Sequence, residues 1–280
     1  LPLKKAPQEL ILSAARPTLS GNHSPKGAEL TQYLLEKAAL YNHPRFVETD
    51  PIQIPRSFAT KEDIEISAFL VSVIAWGQRT SIINSGRRLM ALMHHAPHRF
   101  ITTFGESDLA PFRTFVHRTF NGDDCMAFLH ALQRIYLHEG GLEQVLSECF
   151  KGDRSHPGRG WSRFEERFFS GPHLPRSRKH LPDPMKGSAA KRMNMFLRWM
   201  VRRDNAGVDF GIWQQFQPSQ LYLPLDVHTA RVARRLGLLR RKQDDWKAVL
   251  SLTRKMRTID PADPARLDFA LFGIGAFEKF

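Results

Sequence analysis

Thr60–Gly77 reads TKEDIEISAFLVSVIAWG. Thr60-Lys61-Glu62-Asp63 has the pattern of a capping-box start, in which a hydroxyl and an acidic side chain satisfy the first free N–H groups of a helix. Behind it, Ile64–Trp76 is apolar nearly all round, with Glu65, Ser67 and Ser72 as the polar exceptions. A helix without a polar face belongs in the centre of a core. Gly77 ends it. Working outward, Leu30, Leu34, Ala38 and Tyr41 fall on one face of an earlier helix, and Ile82, Ile83, Leu89, Met90 and Met93 serve a helix over Thr80–His94. Helical spacing returns over Asp123–His138, Leu142–Phe150, Ser188–Arg203, Asp226–Leu238, Asp244–Thr258 and Pro261–Phe272. No stretch alternates with period two for long enough to be a strand. The expected fold is all-α.

The 280 residues are 42% apolar, enough for a proper core and too many for wholesale disorder. Residues 1–27 read as an extension: four prolines, no sustained period and a start at Leu1, which fits a fragment or a processed form. Its apolar piece, Glu9–Ala15, is shorter than a signal-peptide core. No window approaches the roughly 20 apolar residues that span a bilayer. Two cysteines, Cys125 and Cys149, exclude a disulfide scaffold and a four-cysteine zinc or iron–sulfur site. Both read as small buried apolar residues in a reducing, cytoplasmic setting. No histidine cluster has metal-ligand spacing, so no metal and no cofactor are expected.

The charge is lopsided. Lys and Arg number 41 against 28 Asp and Glu, a net +13. Lys151–Arg203 alone holds fourteen basic and four acidic residues, and Arg231, Arg234, Arg235, Arg240, Arg241 and Lys242 follow with no acid between them. Arginine dominates, and its planar fork suits phosphate. The expected partner is nucleic acid. An anionic membrane is disfavoured because no helix joins a basic face to a Trp- and Leu-rich one. Lys151–Pro184, rich in Gly, Pro, Arg and His, is predicted to be a long basic loop with one short helix at Trp161–Phe169. Trp161 and Phe164 are its candidates for stacking on a base.

Two residues stand out chemically. Met193, Phe196, Leu197, Met200 and Val201 form the core stripe of one helix, which turns Lys191, Arg198 and Arg202 to the opposite face. Lys191 lies near that helix's start, where the dipole and neighbouring cations favour a neutral, nucleophilic amine. Asp226 is placed to cap the next long helix. A carboxylate among arginines stays ionised and can stabilise a developing cation.

Leu225-Asp226-Val227-His228-Thr229-Ala230-Arg231-Val232-Ala233-Arg234-Arg235-Leu236-Gly237 resembles the catalytic segment of the helix-hairpin-helix DNA glycosylase superfamily. Gly187-Ser188-Ala189-Ala190-Lys191 stands where bifunctional members have a Gly-x-Gly-x-Lys hairpin, with Ala189 replacing the second glycine. Trp76-Gly77-Gln78-Arg79-Thr80-Ser81 resembles the turn whose polar side chain enters the gap left by a flipped base. The Lys191-to-Asp226 interval is similar to that of the archaeal 8-oxoguanine glycosylase branch. Ala28–Phe280 also resembles a bacterial family described as a domain of unknown function, through Lys191–Arg202 and Leu271-Phe272-Gly273-Ile274-Gly275.

The resemblance implies two helical subdomains flanking a cleft, one from about 28–76 plus 225–280 and the other over 77–224. It implies a monomer acting on duplex DNA without an iron–sulfur cluster. Asp226 would be the catalytic aspartate, stabilising the oxocarbenium-like sugar or activating the attacking group, and Lys191 the Schiff-base lysine of a base-excision glycosylase that can be bifunctional. Gln78 would fill the vacated stack. Gly187, Arg198, Arg202, Arg203, His228, Arg231 and Arg235 would hold the nucleic acid, the hairpin at 186–189 through its backbone N–H groups. A second reading stays open: a non-catalytic DNA- or RNA-binding protein on the same scaffold.

Overall fold

The computed structural model describes residues 26–278. The extension expected over 1–27 therefore lies outside the described residues, except for Lys26 and Gly27. Eleven α-helices are present among the described residues: α1 (Gly27–Tyr41), α2 (Lys61–Val73), α3 (Arg79–Leu92), α4 (Pro97–Thr103), α5 (Gly122–His138), α6 (Gly141–Phe150), α7 (Arg159–Phe168), α8 (Lys191–Val201), α9 (Val227–Arg235), α10 (Trp246–Ile259) and α11 (Leu267–Phe277). There is no strand among them, only two isolated bridges, His117 with Phe120 and Ser188 with Asp245. The all-α expectation holds.

Helix α2 is the central element the sequence called for. Every residue from Ile64 to Val73 is buried, and the Thr60 hydroxyl accepts from the Asp63 N–H at the start. Its one deep acid, Glu65, is satisfied by the Tyr136 hydroxyl and the Trp213 indole N–H, both at 2.7 Å. Without those donors a buried carboxylate would cost several kcal/mol, roughly. The principal partners of α2 are α8, α4, α3 and α6, whereas α11 packs on α1 and α9. So α2 packs both on elements of the 77–224 stretch and on the turns over 51–57 that precede it. One contiguous apolar core runs through both groups.

Two details differ from the sequence reading. Helix α11 does not stop at Phe272: it continues through Gly273 and Gly275 to Phe277. Those glycines serve close approach, since a Cβ on Gly273 would lie 2.1 Å from the Tyr41 ring and one on Gly275 would lie 3.1 Å from His228. Residues 44–57 and 97–114 also carry order that showed no period: short 3-10 turns and α4. Three of these turns start on a proline, at Pro44, Pro51 and Pro55. Proline presets φ and has no N–H to leave unpaired.

The basic segment 151–184 is more structured than expected. Helix α7 places Trp161 and Phe164 in the core, each 1% exposed, and the Trp161 indole donates to Asn194 at 3.0 Å. Neither ring can stack on a base. Much of the segment's charge is spent internally: Arg167 pairs with Glu139 and Glu148, Arg178 with Glu165, and Arg176 reaches Asp124.

Candidate functional site

Five chain segments begin at one place. Asp50 caps the Pro51–Gln53 turn, Arg79 opens α3, Lys191 opens α8, Asp226 caps α9, and Asp268 lies in the first turn of α11. Helix starts present unpaired N–H groups and a positive dipole end, so they attract carboxylates. Asp226 uses Oδ1 for its cap, accepting from the His228 and Thr229 N–H groups at 2.9 Å each. Its Oδ2 has no partner among the described residues. The sequence reading of Asp226 as N-cap is correct.

Lys191 is different. Its helix starts from Ala190 in the left-handed region at φ 47°, with no side-chain cap. A non-glycine residue there costs on the order of 1 kcal/mol. Lys191 is half-buried, and its Nζ has no ion-pair or hydrogen-bond partner among the described residues. The sequence suggested a lysine crowded by cations. The structure adds carboxylates, because Lys191 is close enough to act on the charge of both Asp50 and Asp268.

Asp50 and Asp268 complete the cluster. Burial pushes the Asp50 carboxyl up, against an Ile52 N–H and the charges of Arg79, Arg198 and Lys191. Burial pushes Asp268 up to about 6, with the charge of Asp226 adding to it and Arg198 and Lys191 opposing. Arg79 lies over the Phe272 ring at 5.8 Å, and the His228 ring meets Phe272 edge-on at 6.1 Å. The His228 Nδ1 is buried without a partner.

The turn bearing Gln78 joins this group through Arg192. The Arg192 guanidinium lies 4.7 Å over the Trp76 ring and donates to the Val73 carbonyl. It has no carboxylate within ion-pair distance among the described residues, and burial lowers its pKa to about 10. Trp76 also stacks on His180. Gln78 itself is exposed beside Gly77, at φ 100°, against which the Arg118 side chain lies.

Several expected nucleic-acid contacts sit elsewhere. Arg198 is 4% exposed and Arg202 0%. Arg198 pairs with Asp268 at 2.6 Å and Asp209 at 3.3 Å, and Arg202 with Asp204, Asp209 and Asp263. The face opposite the α8 core stripe is covered by acidic segments, so neither guanidinium can reach phosphate. Arg203 is exposed, but its guanidinium is bound to the carbonyls of Gly211 and Trp213. Arg231 donates to the Gly275 carbonyl at 2.8 Å, and Arg235 is exposed on the same helix.

The hairpin also needs correction. Gly187 adopts φ 91° with open space around its Cα. The N–H groups of Lys186, Gly187 and Ser188 donate to Asp183 and Pro184 carbonyls at 2.9–3.2 Å, and Ala190 N–H goes to the Ser188 hydroxyl. Those donors are taken, so they do not cradle a phosphate. The hairpin is preceded by the 3-10 turns Pro175–His180 and Pro184–Lys186, not by an α-helix.

A family model described as a protein of unknown function, DUF2400, matches residues 50–277. The chain belongs to this family. No curated protein and no solved structure matches it. The matched span contains every member of the DUF2400 cluster just described, from Asp50 to Asp268.

Three further features bound the chemistry. Among the described residues no three His, Cys, Asp or Glu side chains converge to hold a metal ion. No helix among them is long and apolar enough to cross a membrane. A cavity of about 100 Å³ lined by His130, Arg134, Phe169 and His173 shares no residue with the cluster. Asp50, Arg79 and Asp268 had no signal as site members in the sequence. Asp268 instead shows itself through its 2.6 Å ion pair with Arg198.

Proposed function

We propose that this protein is a DNA glycosylase that releases a base and forms a lysine Schiff base. One observation carries the reading. Lys191 and Asp226, 35 positions apart, open two different helices, each has an unengaged charged atom, and both act on the charge of Asp268. Residues matching the glycosylase lysine and aspartate in sequence thus share Asp268 as a charged neighbour.

The chemistry follows from the two groups. Lys191 gives up a proton to solvent, and its Nζ lone pair then attacks C1′ of the target nucleotide. The C1′–N bond breaks, and the base leaves with the bonding pair and takes up a proton. Asp226 lowers the barrier by facing the positive charge that grows on the sugar. The new C1′ amine passes a proton to the ring oxygen, the C1′–O4′ bond breaks with its pair going to O4′, and the resulting iminium is reduced by borohydride to a stable secondary amine. The phosphates are met by exposed cations around the Trp76–Gln78 turn, Arg118 and Lys179 foremost, with Arg192 stacked behind them. The test is borohydride trapping on duplexes containing uracil, 8-oxoguanine, an alkylated purine or an abasic site. A covalent adduct at Lys191 is expected.

The internally bonded hairpin favours one alternative, a nucleic-acid-binding protein that does no chemistry. Its signature is salt-dependent duplex binding with no adduct and no released base on any of the four substrates.

A further inference from the structure

Thr229 touches two carboxylates at once. Its N–H donates to Asp226 Oδ1 at 2.9 Å, and its hydroxyl reaches Asp268 Oδ1 at 3.4 Å. The other Asp268 oxygen is clamped by Arg198 at 2.6 Å. Asp268 is 5% exposed, and both its oxygens are occupied, so it does not meet substrate. We infer that Asp268, itself held by Arg198, is a positioning residue for Asp226, acting through Thr229, and that its negative charge raises the rate of the Asp226-dependent step without being needed for Lys191 to attack. The inference rests on the proposed glycosylase reaction.

Few charges face Asp268. Arg198 and Lys191 come from α8, Asp226 from α9, and Asp209 reaches it only through Arg198. On its own side, Asp263 is held by Arg202 and Arg266 by Asp260. Lys37 and Tyr41 both donate to Glu278 just past the far end of α11. Asp50 shares Arg198 and Lys191 with it. The acidic neighbour Asp226 and burial together place its titration at about pH 6. Above that pH a second negative charge stands behind Asp226, where the sugar becomes positive. Below it that charge is absent.

The experiment is single-turnover base release from pH 5 to 8, with abasic-site trapping measured in parallel. In the wild type the release rate should rise about tenfold through pH 6, the effect of roughly one pKa unit of interaction. Asp268→Asn should lose that limb and run about tenfold slower at pH 8, while trapping by Lys191 persists. A residue that only held the fold would lower the rate alike at every pH and leave the limb in place. A wild-type profile flat across pH 6, or the same limb in Asp268→Asn, overturns the inference. Should Asp268→Asn not fold, Thr229→Val decides: losing the hydroxyl moves the limb to higher pH, and Thr229→Ser restores it. An unmoved limb overturns the inference. No base release and no trapping by the wild type would instead bring down the glycosylase reading itself, and this inference with it.

Discussion

At the C-terminal end of α8, Arg202 is 0% exposed and donates to Asp204, Asp209 and Asp263. Eleven residues earlier, Lys191 opens the same helix with no ion-pair partner among the described residues. Both are cations on the face turned away from the core stripe. At one end folding brought carboxylates from 204–209 and 263 onto the charge. At the other it brought Asp50 and Asp268 near the charge without closing on it. A buried cation with three partners is part of the scaffold, because removing it strands several charges. A half-buried lysine with no ion-pair partner among the described residues can still meet a ligand. The sign and density of charge along the chain do not separate these cases.

The comparison breaks most visibly at Lys191. Lys191→Gln should abolish borohydride trapping with folding and duplex affinity intact, read by mass spectrometry and gel shift. An adduct persisting in the variant would reassign the nucleophile. Asp226→Asn should slow base release by about two to three powers of ten, the range for removing one preorganised electrostatic partner. Its binding should be retained. An equal loss of binding would make Asp226 a cap and nothing more.

The scaffold end is tested by stability. Arg202→Met should cost about 3–5 kcal/mol, because Asp204, Asp209 and Asp263 lose their shared countercharge. Urea unfolding measures this. The salt slope of duplex binding by the folded fraction should not change, since Arg202 touches no phosphate. A flatter slope would return this arginine to the interface.

A smaller effect concerns pH. Burial lowers the His180 pKa to about 4, against the pull of Asp124, and the ring stays neutral against Trp76 and Phe120. A folded-state value below the unfolded 6.5 means full stability above pH 6.5, lost as pH falls toward about 4. Relative to His180→Gln, the wild type should lose about 1–3 kcal/mol over that window. Parallel curves for the two proteins would place His180 in contact with water. Last, Arg118→Gln with Lys179→Gln should flatten the salt slope by about one unit for each phosphate no longer neutralised. A slope equal to that of the wild type would move the interface away from the Trp76–Gln78 turn.

Much of the fold was legible. The capping pattern at Thr60, the unbroken apolar run after it and the i, i+3, i+4 stripe of Met193–Val201 gave helices where helices stand, because these signals are local. Glycine misled at α11: Gly273 and Gly275 look like a stop, yet they make room for Tyr41 and His228 from distant helices. Arg198 and Arg202 misled in the same way. Their face was read correctly, but its cover was invisible, since Asp263 and Asp268 lie more than 60 positions downstream.

What the sequence determined by itself was the helical class, the cap at Asp226, the lysine at a helix start and an excess of cations. These follow from residue type and spacing within a turn or two of helix. Only the tertiary structure decided which cations are spent. It also decided that Asp50 and Asp268 join Lys191 and Asp226, and that the N–H groups of Lys186, Gly187 and Ser188 in the hairpin are already bonded. Those outcomes depend on which distant segments pack together, and Coulomb and hydrogen-bond energies depend on separations that sequence spacing leaves open beyond the local turn.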